Sequence, residues 1–386
     1  MNQYDVIIVG AGPAGSCAAF ELAKCGIKTL LLDKKQMVGS PNHCGEGISS
    51  NCMQELNLSI DMPWIVNEVS GGRLIFSNDT SVTFKQRGFC INRPEFDRHL
   101  LKRATDASAE IRTEMKVTEI ERETDGWTVK TKTERFRSSY LVGAGGPRCP
   151  VAVSLGQRHP LLPAYQYKFK MKAKQHPHVH SNWLDFYHSE AFPGGYAWVF
   201  PRGDEVAIGG GSIHHLKQKL DPFCRQMGFD PKDAIKKEGG PIPFLKKPCR
   251  IVFPRALLVG DAGGFTYPLT KGGVHGAVWS GKIAGQLISK AIHQSDDRLI
   301  RGFKRLVRQH PSRKRSHLMM PLTFFNFKNE AFHCIGNIMD GLEFHNFPIV
   351  RFFAEVSRAP SLSALRGIMY AAIIQQHYKK TKHFSW

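Results

Sequence analysis

The chain has 386 residues, nine cysteines and a formal net charge of +20, with 53 Lys and Arg against 33 Asp and Glu. That length allows two or three domains and a sizeable core, and the odd, irregularly spaced cysteines without a Cys-x-x-Cys pair argue against a disulfide scaffold or a zinc site. No apolar run approaches the ~18 residues of a membrane span and no signal peptide opens the chain, so a cytoplasmic, metal-free protein with an anionic partner is expected.

The first element is a strand-type run, Asp5-Val6-Ile7-Ile8-Val9, followed at once by Gly10-Ala11-Gly12-Pro13-Ala14-Gly15 and a helical pattern over residues 16–24 that stops at Gly26. Gly10 permits the tight turn, Gly12 lets a pyrophosphate approach the backbone, and Gly15 lets helix and strand pack closely, with Ala14 in the same turn. The helix N-terminus then offers unpaired N–H groups to phosphates. A second strand over residues 29–32 ends at Asp33, placed to bond a ribose hydroxyl, with Lys34 beside it. Asn92-Arg93-Pro94-Glu95-Phe96-Asp97 follows, with Arg93 as a further cofactor contact.

Another buried-strand run over residues 256–259 leads into Gly260-Asp261-Ala262-Gly263-Gly264, Pro268 and Gly272-Gly273, then a helix to about Ala291. Asp261 can bind a ribityl chain, and the helix start at Gly272 and Gly273 can place positive partial charge beside a flavin's pyrimidine edge. Three motifs in this order suit a chain that wraps FAD end to end.

Residues 61–84 and 160–250 are rich in β-type runs and suggest a sheet walling a substrate site. In Pro193-Gly194-Gly195-Tyr196-Ala197-Trp198-Val199-Phe200-Pro201, period-two alternation sends Tyr196, Trp198 and Phe200 to one face. Three aromatics there make a flat apolar wall, suited to an isoprenoid. Upstream, Cys44 and Gly45 lie in Pro41-Asn42-His43-Cys44-Gly45-Glu46-Gly47, a Gly-flanked loop whose backbone can approach a flat ring.

These segments together with the FAD motifs resemble the geranylgeranyl reductase family of flavoproteins over the first 290 or so residues. The resemblance implies an α/β fold, with a Rossmann-like FAD-binding domain of the p-hydroxybenzoate hydroxylase type, an inserted β-sheet substrate domain and a helical C-terminal region. The corresponding ranges are 1–60, 85–158 and 251–292 for FAD, 61–84 and 159–250 for substrate, and 293–386 for the C-terminal part. It implies hydrogenation of C=C bonds in a polyprenyl chain carried by a lipid, diphosphate or quinone, with Cys44 near the reacting carbons. Reducing an isolated alkene takes a hydride at one carbon and a proton at the other. Tyr196 and Trp198 are expected to orient the alkene and stabilise cationic character, with NAD(P)H or a ferredoxin as electron donor.

The chain departs from the family at Lys271, where glycine is usual, at Gly145, where related flavoproteins often have Asp, and at Asp33 in place of Glu. Beyond the third motif, residues 298–308 read as a basic amphipathic helix, with Leu299, Phe303, Leu306 and Val307 opposite its cations and Arg313, Lys314 and Arg315 beyond. It is expected to hold the enzyme peripherally on an anionic membrane surface. Phe324, Phe325, Phe327, Phe332, Phe344, Phe347, Phe352 and Phe353 suit an apolar core or a greasy tunnel. Two other classes stay open: a flavin monooxygenase or halogenase on the same fold, and a basic non-catalytic binding protein. No nucleic-acid partner is expected for the favoured class.

Overall fold

A computed structural model describes residues 2–42, 44–171, 176–245, 248–310, 327–343 and 348–381. The described strands form two mixed sheets. The first contains β1 (Asn2–Val9), β2 (Thr29–Leu32), β6 (Glu110–Arg112), β7 (Glu119–Arg122), β8 (Trp127–Lys130), β9 (Arg135–Gly143), β15 (Val252–Phe253) and β16 (Ala256–Leu258). Its main order is β15-β16-β9-β1-β2-β6, with β8 and β7 added on β9. The pairs among β16, β9, β1, β2 and β6 are parallel. Parallel strands need cover on both faces, which is why Leu30, Leu31 and Leu32 are all apolar and all buried.

The Pro13–Ala23 and Val274–His293 helices cross in backbone contact. A Cβ on Gly281 would stand 2.1 Å from the Ala14 carbonyl oxygen, and one on Gly285 would stand 2.8 Å from that of Ala18. This close crossing brings the N-terminal glycine turn against the third motif.

The second sheet holds β3 (Gly47–Ser49), β4 (Ile65–Phe76), β5 (Ser81–Ile91), β10 (Leu161–Lys170), β11 (Trp183–His188), β12 (Ala197–Arg202), β13 (Glu205–Gly211) and β14 (Lys236–Pro243). Its order is β14-β10-β13-β12-β11-β4-β5-β3. Residues 47–49 and 81–91 thus belong to this sheet, a wider span than the expected 61–84. The β4–β5 hairpin pairs from Ile75 and Ser81 down to Ile65 and Ile91, so the long β4 draws its partner past residue 84.

One face of this sheet packs Leu74, Phe84, Phe186, Trp198 and Phe200 against the C-terminal helices Asn329–Met339 and Leu362–Thr381, which contribute Phe332, Ile335, Ile338, Ala364 and Ile368. The opposite face packs Tyr167, Val199 and Ile208 under the Leu216–Gln226 helix. Phe327, Phe332 and Phe352 serve core packing, while Phe353 is exposed. Phe324, Phe325, Phe344 and Phe347 lie outside the described residues, as do Arg313, Lys314 and Arg315.

The basic segment differs from the single amphipathic helix read from the sequence. Asp297–Arg301 is a 3-10 turn that runs into the Gly302–Gln309 helix. Phe303 is fully buried, and Leu299, Leu306 and Val307 pack on the core of the first sheet. Its apolar face is therefore spent on intramolecular packing, with Arg301, Lys304, Arg305 and Arg308 left at the surface.

Candidate active site

Gly10 follows β1 with a φ of +110°, and its Cβ position lies 2.4 Å from the Ala144 carbonyl oxygen. A Cβ on Gly15 would be 1.8 Å from the Gly10 carbonyl oxygen, so protein backbone explains both glycines. Gly12 differs, because nothing stands within 4 Å of its Cβ position. An open cradle at the start of the buried Pro13–Ala23 helix is where a pyrophosphate would sit. The Asp33 carboxylate is oriented beside it, accepting from the amides of Ala11 at 2.7 Å and Lys35 at 2.8 Å. Lys34 is exposed, whereas Lys35 is half-buried and donates from Nζ to the Pro41 carbonyl at 3.1 Å.

Gly260, with a φ of +55°, has its Cβ position 2.9 Å from Cβ of Ala14, so the first and third motifs abut. Asp261 Oδ1 accepts from Thr266 Oγ1 at 3.0 Å and lies 3.0 Å from the Cβ position of Gly273, at the start of the Val274–His293 helix. The Gly272 amide donates to Thr270 Oγ1 at 3.2 Å. These residues fit FAD: an open phosphate cradle, a fixed acid next to it, and a second acid at a helix N-terminus.

The Cys44 loop is held from several directions. Its thiol accepts from the Glu46 amide at 3.2 Å, and its carbonyl accepts from Gln166 Nε2 at 2.9 Å and Asn42 Nδ2 at 3.4 Å. Arg93 grips Asp97 at 3.0 and 3.2 Å and also reaches the Cys44 side chain. Burial alone would lower the Arg93 pKa, but the Asp97 charge and the hydrogen bonds to Asp97 and Cys44 outweigh it and raise the value. His43 lies outside the described residues.

Beneath the loop is a buried charge network. Glu46, in a left-handed conformation with φ 67°, pairs with Lys168 at 2.6 Å and Arg202 at 2.8 Å. Glu238 pairs with Lys168 at 3.3 Å and Lys236 at 2.6 Å and accepts from Gln166 Nε2 at 3.1 Å. Burial pushes the Glu238 pKa up, yet the Lys236 hydrogen bond and the Lys168 charge bring it below the ordinary range. Sequence reasoning missed this network. Its trace was charge in otherwise apolar strands, Lys168 between Tyr167 and Phe169 and Arg202 after Phe200-Pro201.

Tyr196, Trp198 and Phe200 share one face, as the alternation implied, but the wall is not flat: Tyr196 stands at 68° to Trp198 and Trp198 at 34° to Phe200. Tyr196 and Trp198 centroids are 6.1 Å apart, as are those of Trp198 and Phe200, and Phe186 meets Tyr196 and Phe200 edge-on at 5.4 and 5.3 Å. The wall touches the Cys44 loop directly, since a Cβ on Gly45 would be 3.1 Å from the Phe200 ring and 3.7 Å from Trp198 Nε1. Trp198 Nε1 donates to Gln166 Oε1 at 3.3 Å. The Tyr196 hydroxyl donates to the Thr270 carbonyl, and burial raises its pKa. Next in that loop, Lys271 has φ +55°, donates from Nζ to the Pro268 carbonyl at 2.8 Å, and has its pKa pushed down to about 8 by burial.

Among the described residues no cluster of three or more His, Cys, Asp or Glu could hold a metal ion. Nor is any described helix long and apolar enough to cross a membrane.

Residues 7–176 match the family described as pyridine nucleotide-disulphide oxidoreductase. Digeranylgeranylglycerophospholipid reductase 3 of Methanosphaera stadtmanae is 32% identical over 321 residues, covering 77% of this chain and 80% of the relative. The digeranylgeranylglycerophospholipid reductase of Thermoplasma volcanium is 31% identical over 344 residues, covering 81% and 85%. The crystal structure of a geranylgeranyl bacteriochlorophyll reductase-like protein from Thermoplasma acidophilum superposes with a TM-score of 0.82 at 25% identity, over 96% of this chain and 100% of that one. A flavin-dependent brominase, 17% identical with a TM-score of 0.65 over 98% and 100%, shares the fold. Sequence and architecture agree that the chain belongs to the digeranylgeranylglycerophospholipid reductase family.

Proposed function

We propose that this protein is an FAD-dependent reductase that hydrogenates C=C bonds of a polyprenyl chain carried by a membrane lipid. The observation that carries the reading is the close approach of Gly45 to the Trp198 and Phe200 rings, 3.7 and 3.1 Å from its Cβ position, which sets the loop expected to meet the flavin against an apolar wall. When bound, FAD supplies the hydride. Trp198 and Phe200 present ring faces that orient an alkene and stabilise positive charge without trapping it. Cys44, half-buried and held by Glu46, Gln166 and Arg93, can give a proton at its thiol. The Tyr196 hydroxyl is already donated to Thr270, so it fixes its ring against the Pro268–Gly273 segment. The electron donor is NAD(P)H or a ferredoxin, and the substrate is collected at an anionic membrane surface.

The test is anaerobic single-turnover reoxidation of the photoreduced holoenzyme by detergent-solubilised digeranylgeranylglycerophospholipid, with mass spectrometry of the product. Gain of two mass units per double bond supports the reading. Flavin reoxidation only by oxygen, with the prenyl chain unchanged, overturns it.

A further inference from the structure

We propose that the helix pair Ile349–Arg358 and Leu362–Thr381 is the surface by which this protein docks on a bilayer with anionic headgroups, the choice of a bilayer resting on the lipid-substrate reading above. The large apolar residues Ile349, Val350, Phe353, Leu362, Met369 and Ile373 are 62, 83, 64, 64, 54 and 36% exposed. The other exposed large apolar residues among those described, Met37, Ile60, Val66, Val153 and Ile235, are scattered singly along the chain. Scattered cases are ordinary, but a concentration on one helix pair marks a contact surface.

The two helices divide their faces in a regular way. In Ile349–Arg358, Ile349, Val350 and Phe353 share an outer sector, while Phe352 and Val356 turn inward and pack on the core. Arg351 and Arg358 lie together beyond Val350, both exposed, with Arg351 donating to the Asp340 carbonyl at 2.9 Å. In Leu362–Thr381, Leu362, Arg366, Met369 and Ile373 recur at i, i+4, i+7 and i+11 and form one exposed stripe. Ala364, Ile368 and Ala371 are buried opposite it.

Charge selects the occupant. Between residues 349 and 373 the only acid is Glu355, which accepts from Asn337 in the neighbouring Asn329–Met339 helix at 3.4 Å, while Arg351, Arg358 and Arg366 are interleaved with the apolar residues. Long arginine stems can lie along apolar surface with the guanidinium in a phosphate layer, and each cation adds to attraction toward an anionic leaflet. A second copy of this chain would set these arginines against their own kind.

Position fits the same occupant. The inner faces of these helices belong to the apolar cluster that also contains Tyr196, Trp198 and Phe200, and both helices pack on the Asn329–Met339 helix, which itself meets β4 and β5, so the outer patch lies on the side of this helical cover away from the sheet. The basic Gly302–Gln309 helix cannot enter a headgroup layer in the same way, because its apolar side is packed in the core. It adds cations without insertion.

The experiment is co-sedimentation of the full-length holoenzyme with phosphatidylglycerol/phosphatidylcholine vesicles and with phosphatidylcholine vesicles alone. Wild type should pellet with the first and much less with the second. The variant Val350→Ser, Phe353→Ser, Leu362→Ser should keep its flavin spectrum and lose binding at least tenfold. Arg301→Glu, Arg305→Glu, Arg308→Glu should lose less. Wild type staying in the supernatant at low salt, or equal binding by the serine variant, overturns the proposal. So does a wild-type dimer in sedimentation velocity that the serine substitutions dissolve. Reoxidation by detergent-solubilised prenyl lipid separates the two readings: intact vesicle binding with no reoxidation removes the reductase assignment and leaves the docking surface standing.

Discussion

Glu46 and Lys168 form a 2.6 Å ion pair beneath the Cys44 loop, although both side chains are almost wholly shielded from solvent. Arg202 completes the contact at 2.8 Å. A buried charge whose partner is removed is left uncompensated, a much larger effect than loss of a surface pair.

Glu46→Ala should therefore destabilise the protein by about 3–5 kcal/mol, read from urea unfolding. Glu46 also holds a φ of 67°, where a Cβ is disfavoured. Glu46→Gly should be the more stable of the two variants by roughly 1 kcal/mol. The reverse order would show that conformational strain is absent at this position.

Gly12 and Gly15 should fail in different ways. Gly12→Val places its side chain in open space, so the apoprotein should fold and purify colourless. Gly15→Val drives a Cβ into the Gly10 carbonyl and should fail to fold. Flavin absorbance together with circular dichroism distinguishes the two, and a yellow Gly12→Val protein would remove the phosphate-cradle assignment.

Cys44→Ala should retain FAD and fold while slowing single-turnover alkene reduction by ~10²–10⁴, the usual worth of a placed proton donor. Gln166→Leu cuts the tie between Trp198 and the Cys44 carbonyl and should slow the same step less, with the flavin spectrum shifted as the loop relaxes. Unchanged rates in both would return the loop to a packing role.

Trp198 is buried in the core cluster, so Trp198→Ala should cost about 3–5 kcal/mol in stability as well as substrate binding. Trp198→Phe keeps an aromatic face and gives the cleaner comparison. Its binding of long prenyl chains should weaken more than that of short ones if the wall runs along the chain, and equal losses would contradict that geometry.

Burial brings the His188 pKa down to about 3, with the Lys271 charge adding in the same direction. The unfolded chain then binds a proton near pH 6.5 that the folded protein refuses, so this contribution to stability is full above pH 6.5 and falls toward pH 3. In the window from pH 6.5 to 4.5, where few carboxylates titrate, His188→Phe should flatten the decline in unfolding free energy. An identical slope in both proteins would place the acid sensitivity elsewhere.

The FAD motifs were legible because their causes are local. A glycine beside a phosphate, or at a φ of +110°, is required by sterics within a few residues, so Gly10, Gly12 and Gly15 announce their roles by spacing alone. The shared face of Tyr196, Trp198 and Phe200 was legible for the same reason, since strand geometry alternates side chains whatever the strand packs against.

What lay beyond the sequence depends on which distant surfaces meet. The register of β4 on β5, which carries the second sheet to Ile91, is a choice among pairings with similar local patterns. The network of Glu46, Lys168, Arg202 and Glu238 joins four separate segments, and no local pattern says which charges the fold will bury together. Periodicity showed an apolar face over residues 299–307, whereas residues 349–373 read only as part of a helical, aromatic-rich C-terminal region. Only tertiary packing decided that the first is covered by the core while the second keeps an exposed stripe, because amphipathicity gives a helix an apolar side without naming what will cover it.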